Sequence, residues 1–129
     1  MRRLPLALIC AVAGMAAVGT GALAHNASYN SNVKIQLFDF ADPGELEVKG
    51  TVGAGSAACE KGRKVRLYLN HPKAGPQPLG SDATNAAGKW RIEADVEPHH
   101  YQARVTKAKV GGGHKHVCKP DRSKPVQLP

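Results

Sequence analysis

Cysteine, aromatic residues and acidic residues are all scarce in this sequence. Of its 129 residues only 3 are cysteine, aromatic side chains make up 5%, and 10 Asp and Glu stand against 18 Lys and Arg. Three cysteines without C-x-x-C spacing exclude both a disulfide-dense mini-protein and a structural zinc module. Hydrophobic residues still make up 42% and charged residues 22%, so the composition is that of a globular chain. The length is typical of a single domain.

The first 24 residues have the pattern of a secretory signal peptide. Arg2 and Arg3 form a cationic start, an apolar run follows, and Ala22-Leu23-Ala24 supplies the small-x-small pattern that signal peptidase cleaves. A transmembrane anchor is the alternative, which glycines within the run and the lack of a following basic cluster disfavour. We therefore predict that residues 1–24 are removed and that the protein is secreted, to the extracellular space or the cell surface.

Two cysteines, Cys59 and Cys118, remain after this cleavage. An even pair in an exported chain predicts one disulfide, because compartments outside the cytoplasm permit thiol oxidation. A reactive or metal-bound thiol pair is the alternative. Closing a loop of this length would remove about 4 kcal/mol of chain entropy from the unfolded state.

Strict alternation of apolar and polar residues runs through the mature chain, in segments 46–52, 65–69, 90–96 and 101–105. Such runs, separated by Gly-, Pro- and Asn-containing turns, predict half-buried antiparallel strands, and no segment shows a helical apolar stripe. We predict an all-β fold, a two-sheet antiparallel β-sandwich of about seven strands. The predicted inward residues are Val48, Val52, Val65, Leu67, Leu69, Trp90, Ile92, Tyr101, Ala103 and Val105.

The predicted organisation assigns residues 25–44 to a lead-in with a first strand and residues 45–129 to the sandwich domain. The lead-in over residues 25–32 is expected to be flexible, because it is rich in Asn and Ser. A Pro- and Gly-rich connection is expected over residues 71–78.

Several motifs resemble those of a known family. These are Ala58-Cys59-x-x-Gly62-Arg63-Lys64-Val65, the turn Thr84-Asn85-x-x-Gly88-Lys89-Trp90, and Tyr101-x-Ala103-x-Val105. Over roughly residues 46–128 the chain resembles the bacterial exported transthyretin-like, or carboxypeptidase-regulatory-like, prealbumin-type β-sandwich domains. The resemblance implies an extracellular sandwich, mostly without assigned activity. One enzyme of that superfamily, 5-hydroxyisourate hydrolase, ends in Tyr-Arg-Gly-Ser, whereas residues 125–129 read Pro-Val-Gln-Leu-Pro, so the resemblance argues against this enzyme.

Histidine provides one candidate site. The predicted cleavage would make His25 the first residue, whose amine and imidazole together can chelate Cu(II). In His114-Lys115-His116 two imidazoles are two residues apart, on the same side of an extended segment. An exported copper- or zinc-binding protein that uses His25, His114 and His116 is therefore the alternative function. The simpler interpretation is that these are exposed loop histidines.

Positive charge provides the second candidate site. The predicted polyanion contacts are Arg63, Lys64, Arg66, Lys107, Lys109 and Lys115, within a wider basic set that also includes Lys61, Arg104, Lys119, Arg122 and Lys124. Such a surface favours an anionic cell-envelope or extracellular polymer as the partner. Few aromatic residues lie among these charges, which disfavours specific nucleic-acid binding. A merely solubilising surface is the alternative.

Residues with the pattern of a catalytic site are not recognisable. Ser56 and Ser81 lie in turn-like sequence without an identifiable base, and no Gly-rich phosphate loop precedes a helix. We therefore expect a secreted, non-enzymatic β-sandwich with a binding or structural role at the cell exterior, without a cofactor and without a membrane span after cleavage.

Overall fold

The computed structural model describes residues 27–40, 44–111 and 116–128, so the predicted signal peptide lies outside the described residues. These ranges contain strands and one short 3-10 helix, Ala57–Cys59, but no α-helix. None of their helices has the length and apolar character to cross a membrane. The strands are β1 (Ala27–Tyr29), β2 (Ser31–Phe40), β3 (Glu45–Ala54), β4 (Lys64–His71), β5 (Gly75–Ala83), β6 (Lys89–Asp95), β7 (His100–Val105), β8 (Ala108–Val110), β9 (His116–Cys118), β10 (Asp121–Arg122) and β11 (Val126–Gln127).

Two larger sheets enclose the hydrophobic core. One has the strand order β2-β3-β6, and the other has the order β10-β7-β4-β5 with β11 also paired to β7. Every pair in these two sheets is antiparallel. All of the predicted inward residues are buried in one cluster to which both sheets contribute, and Val33 and Leu46 also belong to it. The predicted all-β fold is confirmed, because alternation places one apolar face of each sheet against the other.

A third, smaller sheet has the order β1-β9-β8. Its β1·β9 pair is parallel, so the fold is not purely antiparallel and has more strands than the seven expected. Residues 27–32, predicted to be a flexible lead-in, contain β1 and the start of β2. Strands of three residues are too short to show a period of two, and a parallel pair between distant segments leaves no local pattern.

The segment predicted as a connection over residues 71–78 is mostly strand. β4 continues to His71 and β5 begins at Gly75, so the connection shrinks to the turn between them. Pro76 and Pro78 lie within β5, opposite Asn70 and Tyr68 of β4. Proline is tolerated there because β5 is at the end of its sheet and needs ladder bonds on one side only.

The turn between β5 and β6 shows why its motif has that spacing. The Oδ1 atom of Asn85 accepts hydrogen bonds from the backbone N–H groups of Ala87, at 2.9 Å, and Lys89, at 3.0 Å. Gly88 has a φ of +76°, and its carbonyl accepts a bond from the N–H of Val52 at 2.7 Å. A side chain at position 88 would meet the Val52 carbonyl, so glycine is required.

Cys59 and Cys118 form the predicted disulfide, with their Cα atoms 5.5 Å apart. Both residues are completely buried. The bond joins the 3-10 helix before β4 to the end of β9, across 59 residues of chain. Such a bond is typical of an oxidising compartment outside the cytoplasm.

Candidate polyanion-binding face

The residues of β4 alternate between the hydrophobic core and a basic outward side. Val65, Leu67 and Leu69 are buried, so Lys64, Arg66 and Tyr68 point away from the core.

Strand register aligns three arginines on this outward side. Arg66 of β4 lies directly opposite Arg104 of β7, and Arg104 lies directly opposite Arg122 of β10. With neighbouring strands about 4.8 Å apart, this row spans about 10 Å across the sheet. We call the surface formed by Lys64, Arg66, Tyr68, Arg104 and Arg122 the arginine face.

The two carboxylates nearest this row accept hydrogen bonds from backbone N–H groups of other strands. Asp82 and Asp121 occupy inward register positions, opposite Val65 and Val105. Asp82 accepts a hydrogen bond from the N–H of Arg91 at 2.8 Å, and Asp121 accepts one from the N–H of Val33 at 2.9 Å.

Among the described residues, no ion pair includes an arginine of the row. Because like charges directly opposite each other destabilise a sheet, the row costs folding free energy and sustains a positive potential.

Arg104, at the centre of the row, is held in one position by its neighbours. Its guanidinium carbon lies 4.4 Å from the centroid of the Tyr68 ring. Its Nε donates to Oε1 of Gln102 at 3.2 Å, and Nε2 of Gln102 donates to the carbonyl of Ser123 at 3.0 Å. The rest of the guanidinium group makes no other hydrogen bond among the described residues.

A shallow groove of about 630 Å³ runs along the arginine face and includes Lys107 and the segment 120–122 in its walls. Of the predicted contacts, Arg66 and Lys107 line this groove, and Lys64 shares the outward side of β4 with Arg66. Arg104 and Arg122 were in the wider basic set but not among the predicted contacts. Their alignment with Arg66 depends on which strands pair, and that information is not in the local pattern.

Arg63 was predicted to contact a polyanion, and the structure corrects this, because the residue is only 1% exposed. Arg63 lies two residues before Val65 and four before Leu67, so the alternation of β4 places it on the same inward side. The sequence contains this pattern, but the positive charge favoured an exposed position in the prediction. Burial lowers the pKa of its guanidinium group.

The Arg63 guanidinium group holds the segments around the disulfide together. Nη1 donates to the carbonyl of Cys59 at 2.7 Å and to Oγ of Ser31 at 2.9 Å. Nη2 donates to the carbonyls of Thr106, at 2.8 Å, and Lys119, at 3.1 Å. Thr106 also lines the groove, so this buried arginine supports the wall of the arginine face without touching solvent.

The remaining predicted polyanion contacts do not join the row. Lys109 is exposed on β8, in the small third sheet, and Lys115 lies outside the described residues.

Two of the three predicted metal ligands, His25 and His114, lie outside the described residues. His116 is on β9 and packs edge-on against Tyr29, with ring centroids 5.3 Å apart. Within the part of the chain that the structure describes, no group of three or more His, Cys, Asp or Glu side chains could hold a metal ion. The copper or zinc site therefore stays a prediction.

Two other histidines meet at one end of β4. The ring centroids of His71 and His99 are 4.6 Å apart. Nδ1 of His71 accepts hydrogen bonds from the N–H groups of Lys73 and Ala74, each at 3.1 Å, so it closes the turn before β5. The lone pair of Nδ1 is therefore occupied by these hydrogen bonds and is not free to bind a metal.

The outward side of the other large sheet has a different charge pattern. Asp39, Glu47 and Glu93 lie opposite one another across β2, β3 and β6, and the next row places Lys49 beside Arg91. We call the surface formed by these five residues the mixed-charge face.

Ion pairs connect the two rows of the mixed-charge face. Nζ of Lys49 lies 3.2 Å from carboxylate oxygens of both Asp39 and Glu47, and Nε of Arg91 lies 3.8 Å from Glu47. Hydrogen bonds to Asp39 and Glu47 raise the pKa of Lys49. Two of the three carboxylates in the negative row, those of Asp39 and Glu47, are therefore paired with cations of the next row.

No protein-family model matches this chain, and comparison with curated proteins gives no match. The transthyretin-like resemblance thus rests on the sequence motifs and on the β-sheets described above.

Proposed function

We propose that the protein is a secreted, non-enzymatic binding protein that uses the arginine face to bind an anionic polymer at the cell exterior. The alignment of Arg66, Arg104 and Arg122 on adjacent strands, without a carboxylate partner among the described residues, carries this proposal. An extended row suits a polymer with repeated charges better than a single small anion, because several arginines then act on one ligand.

Export is supported by two independent features. Residues 1–24 have the composition of a signal peptide, and Cys59 and Cys118 form a disulfide of the kind typical of oxidising compartments. We further propose that the domain is transthyretin-like. The two packed sheets fit that architecture, and the Asn85–Gly88 turn has the local geometry that its motif demands.

The physical basis of binding is displacement of counterions from the polymer. Each cation that neutralises a polymer charge adds about 0.7 to 0.9 to the slope of log affinity against log salt concentration. Four cations of the arginine face therefore predict a slope of about −3.

The test is binding of fluorescently labelled inorganic polyphosphate across a salt series. Replacing the row by glutamine (Arg66→Gln, Arg104→Gln, Arg122→Gln) should weaken binding about 100-fold at low salt and make the slope shallower by 2 to 3, by about one unit per lost contact. The matched control is Lys34→Gln, Lys89→Gln, Arg91→Gln, which removes the same charge from the outward side of the other sheet. Equal losses in both variants would mean that net charge alone binds the polymer and would refute the proposal.

A further inference from the structure

We infer that Arg104 is a pre-positioned oxyanion anchor, that Gln102 is its positioning residue, and that the ligand is a polymer of phosphate or sulfate groups. This inference rests on the proposed function, since it specifies the ligand class and the central contact of the same arginine face.

The anchor role follows from how Arg104 is restrained. Its guanidinium group lies over Tyr68, and its Nε is bound by Gln102. Gln102 is itself fixed by the carbonyl of Ser123, a residue that is 7% exposed. Ser123 is locked to β7, because its N–H donates to the carbonyl of Ala103 and its Oγ accepts from the N–H of Ala103.

This chain of contacts leaves Nη1 and Nη2 of Arg104 as the groups offered to a ligand. A guanidinium group presents its N–H donors in a planar fork that matches two oxygens of one anion. Since its conformation is already fixed in the free protein, Arg104 loses little side-chain entropy on binding. Arg66 and Arg122 have no hydrogen bond or ion pair among the described residues that would restrain them in the same way.

The alignment of the row favours a tetrahedral oxyanion. Side chains directly opposite on neighbouring strands have Cβ atoms about 4.5–5.5 Å apart, so two guanidinium groups can reach one anion. A phosphate or sulfate group in a polymer has oxygens directed away from a single plane and can accept from both arginines. A carboxylate has two oxygens in one plane and is satisfied by one fork.

The same face offers no platform for nucleobases. Tyr68 is the only Phe, Tyr or Trp that the described strands β4, β5, β7 and β10 present outward. One side of its ring is covered by Arg104, and base stacking is the main sequence-tolerant contact of single-stranded nucleic-acid binders. The ligand is therefore recognised through its oxyanions.

The first test separates positioning from charge in polyphosphate binding. Arg104→Lys keeps the charge but loses the fork, so affinity should fall about 10-fold, by the value of one charge-assisted hydrogen bond, at an unchanged salt slope. Gln102→Leu should weaken binding about 3-fold, again at an unchanged slope, and should cause no further loss when Arg104 is already lysine. Gln127→Leu, at an exposed position of the same sheet, is the control and should leave affinity unchanged.

A Gln102→Leu effect that is equal in both backgrounds, or absent, would overturn the positioning role. A second measurement needs no substitution. In the unliganded wild type, nuclear magnetic resonance should show slower solvent exchange for the Arg104 Nε–H than for those of Arg66 and Arg122. Equal exchange rates for the three arginines would overturn the inference as well.

The second test compares polymers at equal charge concentration. Polyphosphate and dextran sulfate should both bind and both be weakened by Arg104→Lys, whereas polygalacturonate should bind about 5-fold more weakly, because each carboxylate satisfies only one fork. The affinities for oligo(dT) and for an abasic phosphodiester of equal length should agree within about twofold, since the bases contribute nothing to binding. If no polymer binds, the proposed function fails. If polymers bind but the affinity for polygalacturonate equals that for polyphosphate, only this inference fails. The same holds if the affinity for oligo(dT) exceeds that for its abasic counterpart about 10-fold, as base stacking would produce.

Discussion

The two outward faces of the sandwich both carry a row of like charges across three strands. On the mixed-charge face the row Asp39, Glu47, Glu93 is followed by Lys49 and Arg91, and ion pairs link the two rows. On the arginine face the neighbours along β4 are Lys64 and Tyr68, neither of which can neutralise an arginine. The fold accommodates a face on which ion pairs link rows of opposite charge, so it does not itself impose an unpaired arginine row.

The two faces differ in whether their charged rows stabilise the fold or remain available to a ligand. Ion pairs between the rows of the mixed-charge face add little stability, since solvent and salt screen pairs at an exposed lysine. An unpaired arginine row costs a similar amount through repulsion between opposite residues. That cost is offset when an anionic ligand takes the place of the missing carboxylates, which is the basis of the proposed function.

The largest expected effect comes from removing the covalent bond that supports the arginine face. Cys59→Ala with Cys118→Ala should lower the free energy of unfolding by about 4 kcal/mol, from the lost constraint on the unfolded chain. The loosened region should be residues 106–111 and 116–122, which Arg63 and the disulfide hold, whereas β3 and β6 keep their ladder.

Denaturant unfolding measures this loss, and hydrogen exchange locates it. Protection should fall first in residues 106–111 and 116–122 and only later in β3 and β6. Uniform loss of protection across both large sheets would contradict the view that the disulfide supports one side in particular. A polyphosphate affinity equal to that of the wild type would contradict it as well.

An intermediate effect is expected from the polar contact that joins the two sheets. The hydroxyl of Tyr101, on β7, donates to the carbonyl of Asp95 and accepts from the N–H of Glu97, both at 2.8 Å. Tyr101→Phe should cost about 1–2 kcal/mol at neutral pH, because two backbone groups lose their partner.

Tyr101 also gives this cost a pH dependence. Burial raises the pKa of its phenol, so the folded state keeps a proton that the unfolded state releases near pH 10. A folded state that binds more protons loses stability as pH rises, so wild-type stability should fall above about pH 10. The stability difference between wild type and Tyr101→Phe should therefore shrink above that pH in denaturant titrations. A difference that stays constant would show that Tyr101 is not the group responsible.

The smallest effect on stability is expected from making the arginine face resemble the mixed-charge face. Ser81 lies directly opposite Arg66 on the edge strand β5 and is exposed. Ser81→Glu should raise the free energy of unfolding by about 0.2–1 kcal/mol, as a cross-strand ion pair does. The same carboxylate should compete with the ligand and weaken polyphosphate binding about 10-fold, by losing one cation and adding one anion.

Ser81→Gln is the matched control, because it has the same size without the charge. It should change neither quantity appreciably. If Ser81→Glu stabilised the protein and left affinity intact, Arg66 would not be part of the binding surface.

The sequence was sufficient for much of the fold because burial imposes a period of two. Alternation predicted the buried set from Val48 to Val105, and the pair of cysteines predicted the disulfide. The same rule, applied without regard to charge, would have placed Arg63 inward with Val65. A buried arginine with four hydrogen-bond acceptors is an exception to the usual exposure of charged residues, so its charge misled the prediction.

The candidate site could be predicted only in part. Outward positions for Lys64 and Arg66 follow from the pattern of β4, but the row requires β7 to lie between β4 and β10. β10 has only two residues, and its pairing places Arg122 opposite a residue 18 positions earlier, Arg104. Local periodicity contains no such long-range register, and the restraint on Arg104 by Gln102 and Tyr68 depends on it.

The central claim is that the arginine face binds an anionic polymer and the mixed-charge face does not. Backbone nuclear magnetic resonance tests this claim most directly. Titration of the wild-type protein with inorganic polyphosphate should shift the amide signals of β4, β7 and β10, with the largest changes around Arg66, Arg104 and Arg122. The amides of β3 around Glu47 and Lys49 should keep their positions. Shifts of equal size on both faces, or shifts confined to the mixed-charge face, would contradict the account.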